Sequence, residues 1–201
     1  MKPRTLLLFT AGSLLGLSLL VAMASTRAEA QPETETYKVD SVHSTVVFRI
    51  KHLGVSYFYG RFNGPSGEFS FNPQDPDECS FEISIRTQDV DTNSPNRDRH
   101  LKSADFFNAK QFPKITFKSK EVKKVSDGTF RVTGDLALHG VTRPVTVDLK
   151  HVGSGKGMRG EYRSGFEATF TIKRSDFGMK FMLGGLGDEV TLMVGIEGIR
   201  Q

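Results

Sequence analysis

Alternation is the feature that most restricts what this chain can become. Over residues 80–89, Phe81, Ile83, Ile85 and Thr87 take every second place, while Glu82, Ser84, Arg86 and Gln88 take the others. A period of two gives a strand one dry face and one wet face, the pattern of an antiparallel sheet that covers a core on one side. The same pattern recurs from one end of the chain to the other. Val46, Phe48, Ile50 and His52 make one row, Phe58 and Phe62 another, and Phe69 with Phe71 a third, after a short first strand at residues 37–40. Further on come Ile115 with Phe117, then Phe130, Val132, Gly134, Leu136 and Leu138, then Val145, Val147 and Leu149. Phe166, Ala168, Phe170 and Ile172 precede a last row of Val190, Leu192, Val194 and Ile196. Turn-forming clusters at residues 63–65, 72–76 and 126–128 and at His139-Gly140 separate the rows, and residues 153–160, rich in glycine, read as a flexible loop. Evenly spaced strands joined by hairpins predict an antiparallel meander, and about eight of them suffice to close a barrel and remove its free edges.

Residues 94–119 break the pattern. Arg97, Asp98, Arg99, His100 and Lys102 crowd beside Leu101, Phe106 and Phe107. We read a short helical crossover with Pro95 in its first turn, where a missing N–H costs nothing, followed by an aromatic plug at Asp105-Phe106-Phe107 that closes or lines one end of the barrel. A charged, solvated connector anchored by aromatics fits the composition as well. A second irregular stretch covers residues 176–188.

The first 30 residues read as an address and not as part of the fold. Lys2 and Arg4 precede an apolar run at residues 6–24, and Ala28-Glu29-Ala30 offers a secretory cleavage pattern before Gln31. That leaves residues 31–201 as one domain, expected to be exported from the cytoplasm. Cleavage after Ala22-Met23-Ala24 also fits, and an uncleaved membrane anchor is the alternative, weakened by Thr10, Gly12, Ser13, Gly16 and Ser18 within the run. The whole chain carries a formal charge of +4, part of which leaves with Lys2, Arg4 and Arg27. Acids and bases are interspersed, without the basic stripe that phosphate tracking needs, so nucleic acid is excluded as a partner. Cys79 is the single cysteine, which excludes an internal disulfide. It reads as a small residue near a strand start; a reactive thiol or an intermolecular bridge is the alternative.

The chain holds 16 Phe and no Trp. An eight-stranded barrel is either filled by its own side chains or left just wide enough for a slender ligand. Gly60, Gly67, Gly134 and Ala168 in the inner rows either open room along the axis or sit beneath bulky partners. If the axis is hollow, its wall is nearly pure hydrocarbon with His52 and Thr87 as polar points, and Phe48, Ile50, Phe81, Ile83, Phe117, Phe166 and Phe170 are the expected wall positions. Each buried methylene of an apolar ligand would contribute about 0.8 kcal/mol there. Arg97, Arg99, His100, Lys102, Arg174 and Lys180 fall in or beside the irregular stretches. They suit a polar or anionic head group at the mouth, or are ordinary surface charge; Arg97, His100 and Arg174 with Met179 are the mouth candidates. Met179, Phe181 and Met182 could make an adaptable lid.

Catalytic signals are sparse. The five histidines, His43, His52, His100, His139 and His151, form none of the close-spaced metal-ligand units, and no Gly-x-Ser-x-Gly occurs. A site assembled from separate strands is neither supported nor excluded; we expect no catalytic residue, no metal and no cofactor. Ser44 beside His43 does not make a nucleophile pair, because neighbours on a strand point to opposite faces. The glycines at 184, 185 and 187 lack the following Lys-Ser or Lys-Thr of a phosphate loop. Asp98 with His100 is the one candidate proton-transfer pair, and an extracytoplasmic enzyme acting on a lipid at the tunnel mouth is the alternative function. Asp98 equally fits a helix cap or an ion pair with Arg97 or Arg99.

Five segments in order carry a resemblance: 37–48 (YKVDSVHSTVVF) with His52; Gly60-Arg61-Phe62 to Gly67-Glu68-Phe69; 97–107 (RDRHLKSADFF) with Phe112-Pro113; 138–145 (LHGVTRPV); and 174–179 (RSDFGM). Together they resemble the YceI family of exported polyisoprenoid-binding proteins across the whole of residues 31–201. The resemblance implies an elongated, lipocalin-like, eight-stranded antiparallel barrel with a small helical crossover. It implies a tunnel for a long-chain isoprenoid, such as a polyprenyl lipid or quinone precursor, in a periplasmic protein often linked to stress responses and without catalytic activity. It also leaves room for transient membrane contact and for a homodimer.

Overall fold

A computed structural model describes Met1 and residues 33–201, so the export segment read at residues 1–30 lies, but for Met1, outside the described residues. The strands are β1 (Glu35–Val39), β2 (Thr45–His52), β3 (Ser56–Phe62), β4 (Ser66–Phe71), β5 (Ser80–Arg86) and β6 (Val90–Asp91), followed by helix α1 (Pro95–Leu101). Then come β7 (Lys114–Ser126), β8 (Thr129–Leu138), β9 (Val141–Lys156), β10 (Tyr162–Lys173) and β11 (Leu186–Arg200). They form one antiparallel sheet in the order β1-β4-β5-β7-β8-β9-β10-β11-β2-β3-β6, and an extra pairing of β1 with β11 closes it.

The short strands join end to end. β1 and β2 lie along the same edge of β11, with Val39 opposite Gly198 and Thr45 opposite Gly195. β4 and β3 pair in turn with β1 and β2, and β5 and β6 pair with β4 and β3. Three long strands, each broken once, and five continuous ones therefore make the closed eight-stranded antiparallel barrel. At the first break the Ser44 hydroxyl takes over from the backbone, accepting from the Glu197 amide at 3.0 Å and donating to its carbonyl at 3.2 Å. The second break falls at residues 63–65, where the chain bends and runs on; the expected turn there does not reverse it. The third is a 3-10 turn at Thr87–Asp89, which ends the alternation of β5 at Arg86, three residues earlier than its pattern suggests.

Two further expectations change. Residues 153–156 are not loop: β9 continues through Lys156, with Gly153 opposite Gly165 and Gly155 opposite Arg163, because β10 supplies a complete ladder for a stretch with little side chain of its own. The fading alternation after Ser119 is a β-bulge between Ser119 and Glu121, beyond which Val122, an even-numbered residue, turns inward. The crossover is α1, with Pro95 in its first turn as expected.

The interior is filled unequally. At the end formed by β1, β4 and the β7–β8 and β9–β10 hairpins, Phe166 meets Phe69, Phe71 and Phe81 edge-on, with ring centroids 5.2, 4.9 and 5.3 Å away. Tyr37 stacks on Phe69 at 4.9 Å, and Phe130 meets Phe71 at 5.3 Å. Contacts of this geometry each contribute about 0.5–1.5 kcal/mol beyond the area they bury. This end is sealed.

The small residues of the inner rows do not all open space. A Cβ on Gly60 would lie 2.3 Å from Phe48 Cζ, and one on Gly134 would lie 2.4 Å from the Lys118 carbonyl oxygen and 2.7 Å from the Phe117 ring. Gly67 is held just as closely by the Glu82 carbonyl, so of the four only Ala168 borders free volume. Gly60 and Gly134 make room for the Phe48 and Phe117 rings, and Gly67 for the backbone of the neighbouring strand.

Outside the sealed end, Arg163 donates to Asp40 at 2.8 Å and to Glu161, and also pairs with Glu197, which ties the first break to β10 and β11. His43 and then Arg163 hydrogen-bond the Asp40 carboxylate and hold it well below the usual carboxylate range. Gly134→Ala, which presses on backbone, should cost about 1–3 kcal/mol in denaturant unfolding. Gly60→Ala should cost less, because the Phe48 ring can swing inward. Asp40→Asn should melt about 2–4 °C lower than wild type at neutral pH. Since a depressed carboxylate stabilises fully above its unfolded pKa, that difference should shrink as pH falls below about 4, measured as Tm against pH.

Candidate ligand-binding cavity

Beyond the sealed end the barrel is hollow. A cavity of about 550 Å³ runs from a floor at Phe81 and Phe166 to an opening near His52, α1 and the start of β11. Volumes of about 300–1,000 Å³ are usual for sites that enclose a small organic ligand. Phe48, Ile50, Phe81, Ile83, Phe117, Phe166 and Phe170 all line it. They stand at alternate positions of β2, β5, β7 and β10, which is why one periodicity could name them. The same rows add Val46, Leu136, Ile172 and Leu192, and the crossover adds Leu101, Phe106 and Phe107, which no alternation marks. Polar side chains reach the lining only around the opening, as His52, Ser56, Tyr57, Arg97, His100 and Arg174. Thr87, expected inside, is fully buried in the 3-10 turn, where its hydroxyl donates to the Phe112 carbonyl at 2.9 Å, and it does not line the cavity.

The mouth candidates have different surroundings. Arg97 lies with its guanidinium carbon 4.3 Å from the Phe58 ring centroid and donates to the hydroxyl and carbonyl of Thr92 at 2.8 and 2.6 Å. Its Nη1 is unbonded among the described residues, and Arg97 lines the cavity at the opening. His100 pairs with Asp105 at 2.8 Å, and its ring packs edge-on against Phe106 and Phe181, which meet each other at 5.3 Å. Three rings thus bridge α1 and the loop after β10. Arg174 borders the cavity yet spends its guanidinium on the protein, donating to the carbonyls of Gly187, Met179, Phe181 and Leu186 at 2.9, 2.9, 2.8 and 3.2 Å. Burial pulls its pKa down, and nearby Asp188 opposes that. Arg174 therefore shapes the loop of residues 178–187, and no sequence pattern distinguishes an arginine so used from one aimed at solvent. Met179, buried, lines the cavity beneath that loop, and Met182 lines it while half exposed.

The proton-transfer pair is not formed. Asp98 accepts from the amide and hydroxyl of Thr92, and positions two apart on a helix do not face each other, which leaves His100 to Asp105. Asp40, His43 and Glu197 are the one metal-capable group among the described residues, and the guanidinium of Arg163 bridges Asp40 and Glu197 there. The Cys79 thiol is buried against the backbone of Asn72, and burial pushes its pKa up, away from reactivity.

A YceI-like domain model matches residues 37–198. The chain belongs to this family. A UPF0312 protein of Pectobacterium atrosepticum is 42% identical over 201 residues, covering all of both chains. One from Pseudomonas aeruginosa is 47% identical over 167 residues, covering 82% of this chain and 87% of its own. Among solved YceI-like structures, Burkholderia cenocepacia BcnA superposes with a TM-score of 0.71 at 25% identity, over 79% of this chain and 98% of that one. A polyisoprenoid binding domain from Saccharophagus degradans, implicated in plant cell wall breakdown, shares the fold at a TM-score of 0.64 and 14% identity, over 82% of this chain and 98% of its own.

Arg174 gives this YceI-like barrel a direct test. Arg174→Met leaves four carbonyls without their donor and should cost on the order of 3 kcal/mol, with amide exchange accelerated first at residues 178–187. Arg174→Lys should rescue little, because one ammonium cannot span four acceptors.

Proposed function

We propose that this protein is an exported binding protein that holds a long isoprenoid-type chain in its cavity without transforming it. The observation that carries the reading is the distribution of polarity: the wall is hydrocarbon along its depth, and every polar lining side chain stands at the opening. Such a site favours an amphiphile with an apolar tail and a compact polar head. Each tail methylene buried contributes about 0.8 kcal/mol, and an unbranched or methyl-branched chain fits a narrow tube better than a rigid ring system. Arg97 is the side chain best placed to meet the head, through its free Nη1.

Membership of the YceI-like family and the polyisoprenoid-binding description of the Saccharophagus domain support a binding role over an enzymatic one. Periplasmic residence, through the segment at residues 1–30, suits a protein that moves or stores such a lipid between membranes, and a link to stress belongs to the same proposal.

Protein purified from an extracytoplasmic fraction without detergent should release a polyprenyl-type lipid into an organic extract, read by mass spectrometry. Leu192→Trp, which fills the hollow from β11, should keep the far-ultraviolet spectrum and lower the retained lipid roughly tenfold, a loss of about 1.4 kcal/mol. An extract of the wild-type protein without any such lipid would overturn the reading.

A further inference from the structure

Around the opening the protein turns large apolar side chains outward. The β2–β3 hairpin tip exposes Leu53 (60%) and Val55 (86%), with Tyr57 beside them, and the loop after β10 exposes Phe181, Met182 and Leu183. The two loops form one surface: the Leu53 amide donates to the Gly185 carbonyl at 2.7 Å, and the side chains of Leu53 and Met182 both converge on Gly185. Both turns are also strained. Leu53 has φ +50° and Met182 φ +54°, a left-handed conformation that glycine or asparagine adopts far more readily than a large apolar residue. Solubility and local conformation would both favour a small polar residue at each place, and the chain has neither.

Charge points to the same partner. Lys51 and Lys180 stand exposed beside the two loops and form no ion pair among the described residues. An apolar tip flanked by unpaired cations matches a bilayer leaflet with anionic head groups, with side chains among the acyl chains and ammonium groups at phosphate level. The surface is also continuous with the cavity, since Tyr57 and Met182 belong to both.

We propose that this lip is a membrane-docking surface, entering an anionic leaflet so that the cavity opens onto its hydrocarbon. The proposal rests on the lipid-binding reading only for what passes through the opening, and its test has no cargo readout, so either can fail alone. Because the chain contains no Trp, single reporters are unambiguous. Val55→Trp at the lip and Val125→Trp on the β7–β8 hairpin at the sealed end would each be placed in the full chain, as processed by its bacterial host. Each would be mixed with vesicles of phosphatidylethanolamine and phosphatidylglycerol, with and without lipids brominated in the acyl chain.

The expected result is a blue shift and bromine quenching for Val55→Trp, weaker in high salt and on phosphatidylcholine alone, with Val125→Trp unchanged. Quenching reports insertion of the lip itself, whatever else holds the chain to the vesicle. Adding Leu53→Asn and Leu183→Ser to the Val55→Trp chain should lower the quenched fraction roughly fivefold or more. Equal responses at both positions, or none at Val55→Trp, would overturn the proposal. So would a blue shift without vesicles that grows with protein concentration, which would assign the lip to a second copy of the chain.

Discussion

One edge of β11 carries two strands in succession, and the shape of the barrel depends on it. Because β1 and β2 share that edge, the partners stacked beyond them are also long and broken, and the closed sheet becomes deep relative to its width. The join is secured twice, by the Ser44 hydroxyl bonding both backbone groups of Glu197 and by Arg163 gathering Asp40, Glu161 and Glu197. An eight-stranded barrel is wide enough either to be filled across by its own side chains or to hold one slender ligand. This one has depth enough for both a packed half and a hollow half.

Which side chains alternate inward is written plainly in the sequence; where the packed half ends and the hollow half begins is not. A sheet with one wet face must alternate or bury charge, so the rows through Phe48, Phe81, Phe117 and Phe166 were readable without coordinates. The breaks were not. A bend at Asn63-Gly64-Pro65 uses the same residue types as a reversal, and the bulge after Ser119 removes the alternation that would have marked its strand.

The opening was less legible because its residues act through geometry. Arg174 and Arg97 look alike as cations in an irregular stretch, yet one is consumed by four carbonyls and the other leaves a nitrogen free. Asp98 and His100 look like a pair, but the helical turn separates them. Gly60 and Gly134 fitted open space and seats beneath bulky partners equally well, and they are beds for aromatic rings, a distinction that depends on which strand lies alongside.

The aromatic seal around Phe166 makes the tube blind. A chain held as proposed would have to come out the way it came, tail last, and could not be threaded from one side of the barrel to the other. On the proposed function, the depth from rim to Phe166 acts as a gauge: a tail shorter than that depth would disappear entirely, and a longer one would leave its surplus at the door, within reach of whatever exchanges it.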